Sequence, residues 1–214
     1  MIGEHLQSHG YRTWCTGKWH NGVSSFSRNF SDGDDIFFGG MDDHWNVPVF
    51  DYDPEGRFDA TLLQCQDAFK SNILTIRKGN HVHAGRHSSE IFADRATEWL
   101  KGYDSPDPFF MYVSFMAPHD PRTMPKMFLD LYEPGEIPLP ENFAKLHPFN
   151  NGDLRGRDEM LEEIPRDPAK IRQHIAEYFA MITHLDVQIG LSLIHISEPT
   201  RLGMISYDVF CLKK

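Results

Sequence analysis

Phe109-Phe-Met-Tyr-Val-Ser-Phe115 is a nearly continuous apolar run of strand length, and it constrains the fold more than any other stretch of the chain. A strand that is apolar on both sides offers no face to water, so it belongs inside a sheet covered on both faces, the setting of parallel sheets. The preceding segment supplies one cover. From Ser88 to Leu100, the residues Ile91, Phe92, Ala96, Trp99 and Leu100 recur at helical spacing, with Ser88 or Ser89 as N-cap and Lys101-Gly102 closing the last turn. Helix, short turn from Ser105 to Pro108, and buried strand make half of a βαβ unit. The expected fold class is α/β, part of an α/β/α sandwich with a mostly parallel sheet, incomplete at both ends.

In open sheets of this kind ligands bind beyond the carboxyl ends of the strands. Two segments bring chemistry to that rim. Gly10-Tyr-Arg-Thr-Trp-Cys-Thr-Gly-Lys-Trp-His20 reads as a strand running into a tight turn at Gly17, with Lys18 and His20 projecting from its end. An ammonium and an imidazole there suit an anion, one as fixed charge and the other as proton carrier. Ala117-Pro-His-Asp-Pro121 follows the Phe109 run, and its two prolines stiffen the loop that presents His119 and Asp120. Taken singly, each segment also fits an ordinary surface turn.

The stretch from Asn21 to Asp59 is rich in Gly, Asp and aromatics, and is expected to be a long functional loop or substrate wall. Within it, Asp43 and His44 are candidate sugar contacts, with a plain surface turn as the alternative. Residues 122–170 are proline-rich and read as a surface excursion. Ile171, Ile175, Tyr178, Phe179, Ile182, Leu185 and Ile189 then recur at three- and four-residue steps, predicting a five-turn helix with His184 and Asp186 on its water-facing side.

The 214 residues, 40% hydrophobic and 24% charged, suit one globular domain with no run long enough to span a bilayer. A net charge of −10 without clustered Lys and Arg excludes general nucleic-acid binding and leaves small molecules or neutral surfaces as partners. Three cysteines, Cys15, Cys65 and Cys211, have neither disulfide-framework nor metal-type spacing. No metal ligands are expected in this chain.

The Gly10–His20 string has the form G-Y-x-T-x-x-x-G-K-W-H and resembles the second signature of the sulfatase family. The strand Phe109–Phe115 followed by A-P-H-D-P is similar to the family segment that brings a further histidine to the sulfate. The helix ending His184-Leu-Asp-Val-Gln-Ile-Gly190 has a family counterpart as well. The resemblance covers about residues 3 to 190 and implies the alkaline-phosphatase-like fold. It also implies hydrolysis of a small-molecule or glycan sulfate ester by a formylglycine, made from Cys or Ser in a C/S-x-P-x-R motif beside a calcium ion. By position in the motifs, Lys18 would contact sulfate oxygens, His20 would sit beside the formylglycine, and His119 would steady the sulfate or the leaving oxygen.

Two departures qualify that expectation. No C/S-x-P-x-R motif precedes Lys18, and the acidic calcium ligands expected ahead of it and after the long helix are not in the sequence. Ser197-Glu-Pro-Thr-Arg201 has the right form but follows Lys18, inside Leu191–Lys214, a segment resembling translated sequencing adapter. Residues 1–190 are therefore expected to be a partial catalytic domain that begins mid-fold, residues 191–214 a non-native tail, and the chain inactive without nucleophile and metal. Two alternatives stand beside this reading: a phosphatase or phosphodiesterase of the same superfamily, and a non-catalytic carbohydrate-binding piece whose aromatics from Phe26 to Tyr52 stack on sugar rings.

Overall fold

A computed structural model describes residues 1–65, 67, 69, 73–149, 152–156, 160–197 and 211–212. Residues 198–210, 213 and 214, most of the segment set apart on sequence, lie outside the described residues. The elements in chain order are α1 (Ile2–Gln7), β1 (Arg12–Lys18), α2 (Val23–Asn29), β2 (Asp32–Phe37), β3 (Pro48–Val49), β4 (Thr61–Cys65), β5 (Leu74–Lys78), β6 (His81–Val82), α3 (Ser88–Gly102), β7 (Phe109–Ser114), α4 (Lys126–Leu129), α5 (Pro168–Ser197) and β8 (Cys211–Leu212). The chain divides into two compact units, residues 1–121 with 185–214, and residues 122–184.

The first unit is built on a sheet of order β2-β1-β7-β8. Strands β2, β1 and β7 are mutually parallel, and β8 pairs antiparallel with β7. The expected buried strand is thus present, and β1 lies at its side with Thr13 to Gly17 all buried. Successive strand residues point to opposite faces, and their packing identifies the layers. Trp14 and Met111 pack with Ala96 and Trp99 of α3, while Cys15 and Phe110 pack with Phe26 and Phe30 of α2. Helices therefore cover both faces of a parallel sheet, which makes the unit α/β.

Five local features differ from the expectations drawn on sequence. Gly17 lies inside β1, not in a turn after it: its φ is +92°, and a Cβ there would sit 2.0 Å from the carbonyl oxygen of Ser114 on β7. The glycine is needed for strand approach at a register shift between Thr16 and Gly17.

The stretch Asn21–Asp59 is not one long loop. It folds into α2, β2 and β3, and Phe26, Phe30, Phe37, Phe50 and Phe58 are buried. Edge-to-face and tilted ring contacts join Phe26 to Phe30, Phe38 and Phe58. These aromatics are core because five large rings bury far more apolar area than they could expose.

The N-cap of α3 is His87, one residue before Ser88 and two before Ser89, its buried ring accepting from the Ser89 N–H through Nδ1 at 3.2 Å. A neutral imidazole nitrogen serves as well as a hydroxyl in satisfying a first-turn amide.

Helix α5 runs from Pro168 to Ser197, longer than the five turns expected, since no glycine or proline interrupts Leu191–Ser197.

In the second unit, residues 122–167 hold α4 and two 3-10 turns at Pro134–Glu136 and Asp153–Arg155. They are tied to α5 by Arg122–Glu177 (3.0 Å), by Arg172 Nε donating to the Ile137 carbonyl (2.9 Å) and by Tyr132 with Thr183 (2.6 Å). His184, expected in water, is instead buried with its ring 4.7 Å from that of Phe128. Asp186 is exposed, as expected. Among the described residues no helix is long and apolar enough to cross a membrane.

Candidate anion site at the sheet edge

Parallel pairing aligns Gly17 of β1 with Ser114 of β7, so Lys18 and the A-P-H-D-P loop leave the sheet at the same carboxyl edge of neighbouring strands. On the other side, Lys18 aligns with Phe37 of β2, whose carbonyl accepts from the Trp19 N–H at 2.8 Å. Lys18 is half-buried and its proton affinity is lowered from the ordinary 10.5 by desolvation. His20 and His119 are exposed. His119 Nδ1 lies 3.3 Å from the Asp120 carbonyl oxygen. A carbonyl only accepts, so Nδ1 carries the proton and Nε2 is the basic nitrogen of the neutral ring. Asp120 is half-buried on the same loop.

The segment after β2 reaches both histidines. A Cβ on Gly40 would lie 3.3 Å from Cε1 of His20, so the chain passes close under that ring. Four residues on, His44 is fully buried, with Nδ1 2.8 Å from the Ser88 hydroxyl and Nε2 3.2 Å from the His119 carbonyl oxygen. The carbonyl requires an Nε2–H donor, so Nδ1 accepts from Ser88. The ring also stacks on His87, centroids 4.9 Å apart and planes 2° from parallel.

His44 therefore does not present itself to a ligand, as sequence suggested. It positions the His119 loop against the start of α3. Asp43 is exposed, but its carboxylate accepts from the Trp45 N–H (3.0 Å) and the Asn46 amide (2.7 Å), forming a turn that places His44. The His44 role has no sequence signal, because Ser88 and His119 are distant in the chain, whereas the Asp43 bonds are local and form the surface turn weighed on sequence.

His44 has a consequence for stability. Burial lowers its pKa from 6.5, against the bond to the His119 carbonyl, which acts the other way. Above the unfolded value both states are neutral and the contribution is whole. As pH falls from about 6.5 through the lower folded value, the unfolded chain takes up a proton that the folded chain resists, and stability drops. His44→Gln, which retains an amide but does not titrate, should remove that part of the acid slope in urea midpoints measured from neutral to mildly acidic pH. Superposable slopes for both proteins would refute the assignment.

Cys15, the buried cysteine nearest the rim in sequence, is no alternative nucleophile: desolvation pushes its thiol well above 9.0. The surface hollow lined by Arg12, Trp99, Gly102, Tyr103, Asp104 and Ser105 lies at the opposite end of β1 from Lys18. One cluster that sequence reasoning passes over is Asp35, His81 and His83, for which the cue was His81-Val-His83, an H-x-H placing two imidazoles on one side of an extended segment.

Residues 1–193 match the family model for the sulfatases. The arylsulfatase of Clostridium perfringens (strain 13 / Type A) is 26% identical over 94% of this chain and 44% of its own length. That of Klebsiella aerogenes is 30% identical over 88% of the chain and 41% of its own length. Human iduronate 2-sulfatase is 28% identical over 88% and 35%. The chain thus spans less than half the length of each of these relatives. Among solved structures, Ps i-CgsB in complex with k-i-k-neocarrahexaose superposes with a TM-score of 0.50 at 18% identity, covering 92% of this chain and 36% of that one. A second structure of Ps i-CgsB gives a TM-score of 0.51 at the same identity and coverage. Fold and sequence agree, and the chain belongs to the sulfatase family.

Proposed function

We propose that Lys18, His20 and His119 form the anion-gripping rim of a sulfuric ester hydrolase, and that its ester is a sulfated carbohydrate. The observation that carries the proposal is the alignment of Gly17 with Ser114, which sends both motif loops from one sheet edge. The segment from Gly40 to His44 supports it by lying against His20 at one end and bonding the His119 loop at the other. The sugar is inferred from the relative iduronate 2-sulfatase and from a fold neighbour in complex with k-i-k-neocarrahexaose.

Each residue has a role its chemistry fits. The Lys18 ammonium offsets charge on the sulfuryl oxygens, most strongly as that charge redistributes in the transition state. Its desolvation is relieved when an anion lies beside it. His119, its Nδ1–H directed to the Asp120 carbonyl, offers Nε2 as the proton-transfer atom, and in the imidazolium form Nε2–H gives the leaving oxygen its proton. His20, exposed beside Gly40, is suited to proton transfer at the neighbouring nucleophile. Asp120 is a further substrate contact on the same loop.

The family resemblance implies a formylglycine and a calcium ion. The rim residues do not fit calcium, which takes six to eight oxygen ligands, whereas this rim offers an ammonium and imidazoles. No step is assigned to the ion here. The sequence ahead of Lys18 also holds no C/S-x-P-x-R motif. The 214-residue chain by itself is therefore expected to bind sulfate without turnover. Residues 191–214 are proposed to be dispensable for that binding.

Two assays test this. The product of the complete gene should release phenol from an activated aryl sulfate, while the 214-residue chain should release none. Turnover by the short chain would overturn its inactivity. A complete gene product that cleaves aryl phosphate but not aryl sulfate would overturn the class in favour of a phosphatase.

A further inference from the structure

Asp35, His81 and His83 converge from two separate strands. Both His81 Nε2 and His83 Nε2 lie 2.9 Å from Asp35 Oδ1, and the two ring nitrogens are 3.2 Å apart. His83 Nε2 is also 2.9 Å from Asp35 Oδ2. We propose that these three side chains are a binding site for one divalent transition metal of the zinc type.

The spacing fits such an ion. Zinc bonds nitrogen and carboxylate oxygen at about 2.0–2.1 Å in tetrahedral sites, which puts neighbouring ligand atoms roughly 3.3 Å apart. The nitrogen pair at 3.2 Å matches, and the nitrogen–oxygen contacts at 2.9 Å need only a small expansion. Two imidazoles and one carboxylate are also the ligand set that zinc and its neighbours favour over calcium or magnesium.

Ring chemistry gives an independent reason. His81 Nδ1 lies 3.3 Å from Asp51 Oδ1, so carboxylates face both of its nitrogens. A carboxylate only accepts. With Nδ1–H donated to Asp51, Nε2 of the neutral ring carries a lone pair aimed at Asp35 and at the second imidazole, an arrangement that a cation resolves. A carboxylate behind a ligating histidine is the usual support for a metal-bound imidazole.

The surroundings are prepared in the same sense. Asp35 is buried and has φ +46°, and it is the residue skipped where β1 pairs Thr16 with Asp34 and Gly17 with Ile36. The bulge turns its carboxylate out of the ladder. Its second oxygen is ion-paired with Arg95, whose Nε lies 3.3 Å away without a directed hydrogen bond, and Arg95 is shared with Asp34 and Glu98. Asp34, Asp35, Asp51 and Glu98 outnumber that single guanidinium, so the locality remains acidic. His81 and His83 keep 37% and 23% of their side chains exposed, enough for an ion to enter and hold a water.

The test is Zn²⁺ titration of the full 214-residue chain after chelator treatment, with competition against a metal indicator and Co²⁺ absorption as a report of geometry. One equivalent should bind, a tetrahedral Co²⁺ spectrum should appear, Tm should rise with Zn²⁺, and excess Ca²⁺ should not compete. His81→Ala with His83→Ala should abolish binding. Asp51→Asn, at a carboxylate 60% exposed, should weaken binding about 10-fold or more, which keeps the proposal testable if the double variant does not fold. Wild-type protein that takes up no zinc would overturn the site. So would full binding by the double variant, which would assign the metal to exposed histidines such as His5 and His9, or an Asp51→Asn protein with unchanged affinity.

Discussion

Replacing Lys18 by Ala should lower kcat/KM on an aryl sulfate by about a hundred- to a thousandfold in the complete enzyme, the effect typical of removing one preorganised charge from a developing anion. The loss should fall on both terms, since an ammonium attracts the sulfate in the ground state and more strongly in the transition state. Lys18→Arg should recover only part of the rate, because a planar fork does not replace a compact point charge. It should also move the alkaline limb of the kcat/KM profile. Desolvation lowers the Lys18 pKa from 10.5, so in the wild type the cation, and sulfate affinity with it, is lost as pH rises through that lowered value. Arginine does not titrate there, and the limb attributable to Lys18 should vanish. Steady-state rates across alkaline pH decide the matter: an Ala variant at wild-type efficiency would remove Lys18 from the site.

The sheet and its rim were readable in the sequence because both rest on local pattern. A two-sided apolar run can only be Phe109–Ser114 inside a sheet, and a helix before it with one apolar stripe can only lie on that sheet. What could not be read was tertiary choice. Aromatics from Phe26 to Phe58 suit a sugar-stacking surface as well as a core, and only the packing of α2 against Cys15 and Phe110 decides for the core. That packing takes Phe26, Phe30, Phe37 and Phe50 into the core and leaves Phe38, Trp45 and Tyr52 half-buried. His44 looked like a ligand contact and is a buried strut, because its partners Ser88 and His119 are distant in sequence. His87 took the cap from two serines for a similar reason: its ring is held by stacking on His44. The Asp35, His81 and His83 cluster needed a bulge in β2 and an antiparallel β3–β6 pair before its members could meet.

Gly17→Ala should be the most damaging single-methyl change in the first unit, costing roughly 2–5 kcal/mol. Left-handed backbone costs an L-residue about 1–2 kcal/mol, and overpacking a rigid core adds about 1–3. The obstruction is backbone: the new methyl would meet the Ser114 carbonyl oxygen at 2.0 Å, and a strand held in a sheet cannot turn aside as a side chain does. Gly10 and Gly22 separate the two contributions, since they share positive φ (83° and 79°) but a Cβ on either meets nothing within 4 Å. Alanine at Gly10 should cost only the conformational part, about 1–2 kcal/mol, and at Gly22, where ψ is 148°, about 1–3 kcal/mol. Because Gly17 sets the spacing of the strands that lead to Lys18 and to His119, any folded Gly17→Ala protein should also bind sulfate more weakly, whereas the Gly10 variant should not. Urea midpoints and sulfate titrations on the three proteins provide the comparison. Equal destabilisation at all three glycines would mean that β1 and β7 do not approach as closely as the Gly17–Ser114 contact requires, and the common origin of the two rim loops would fall with it.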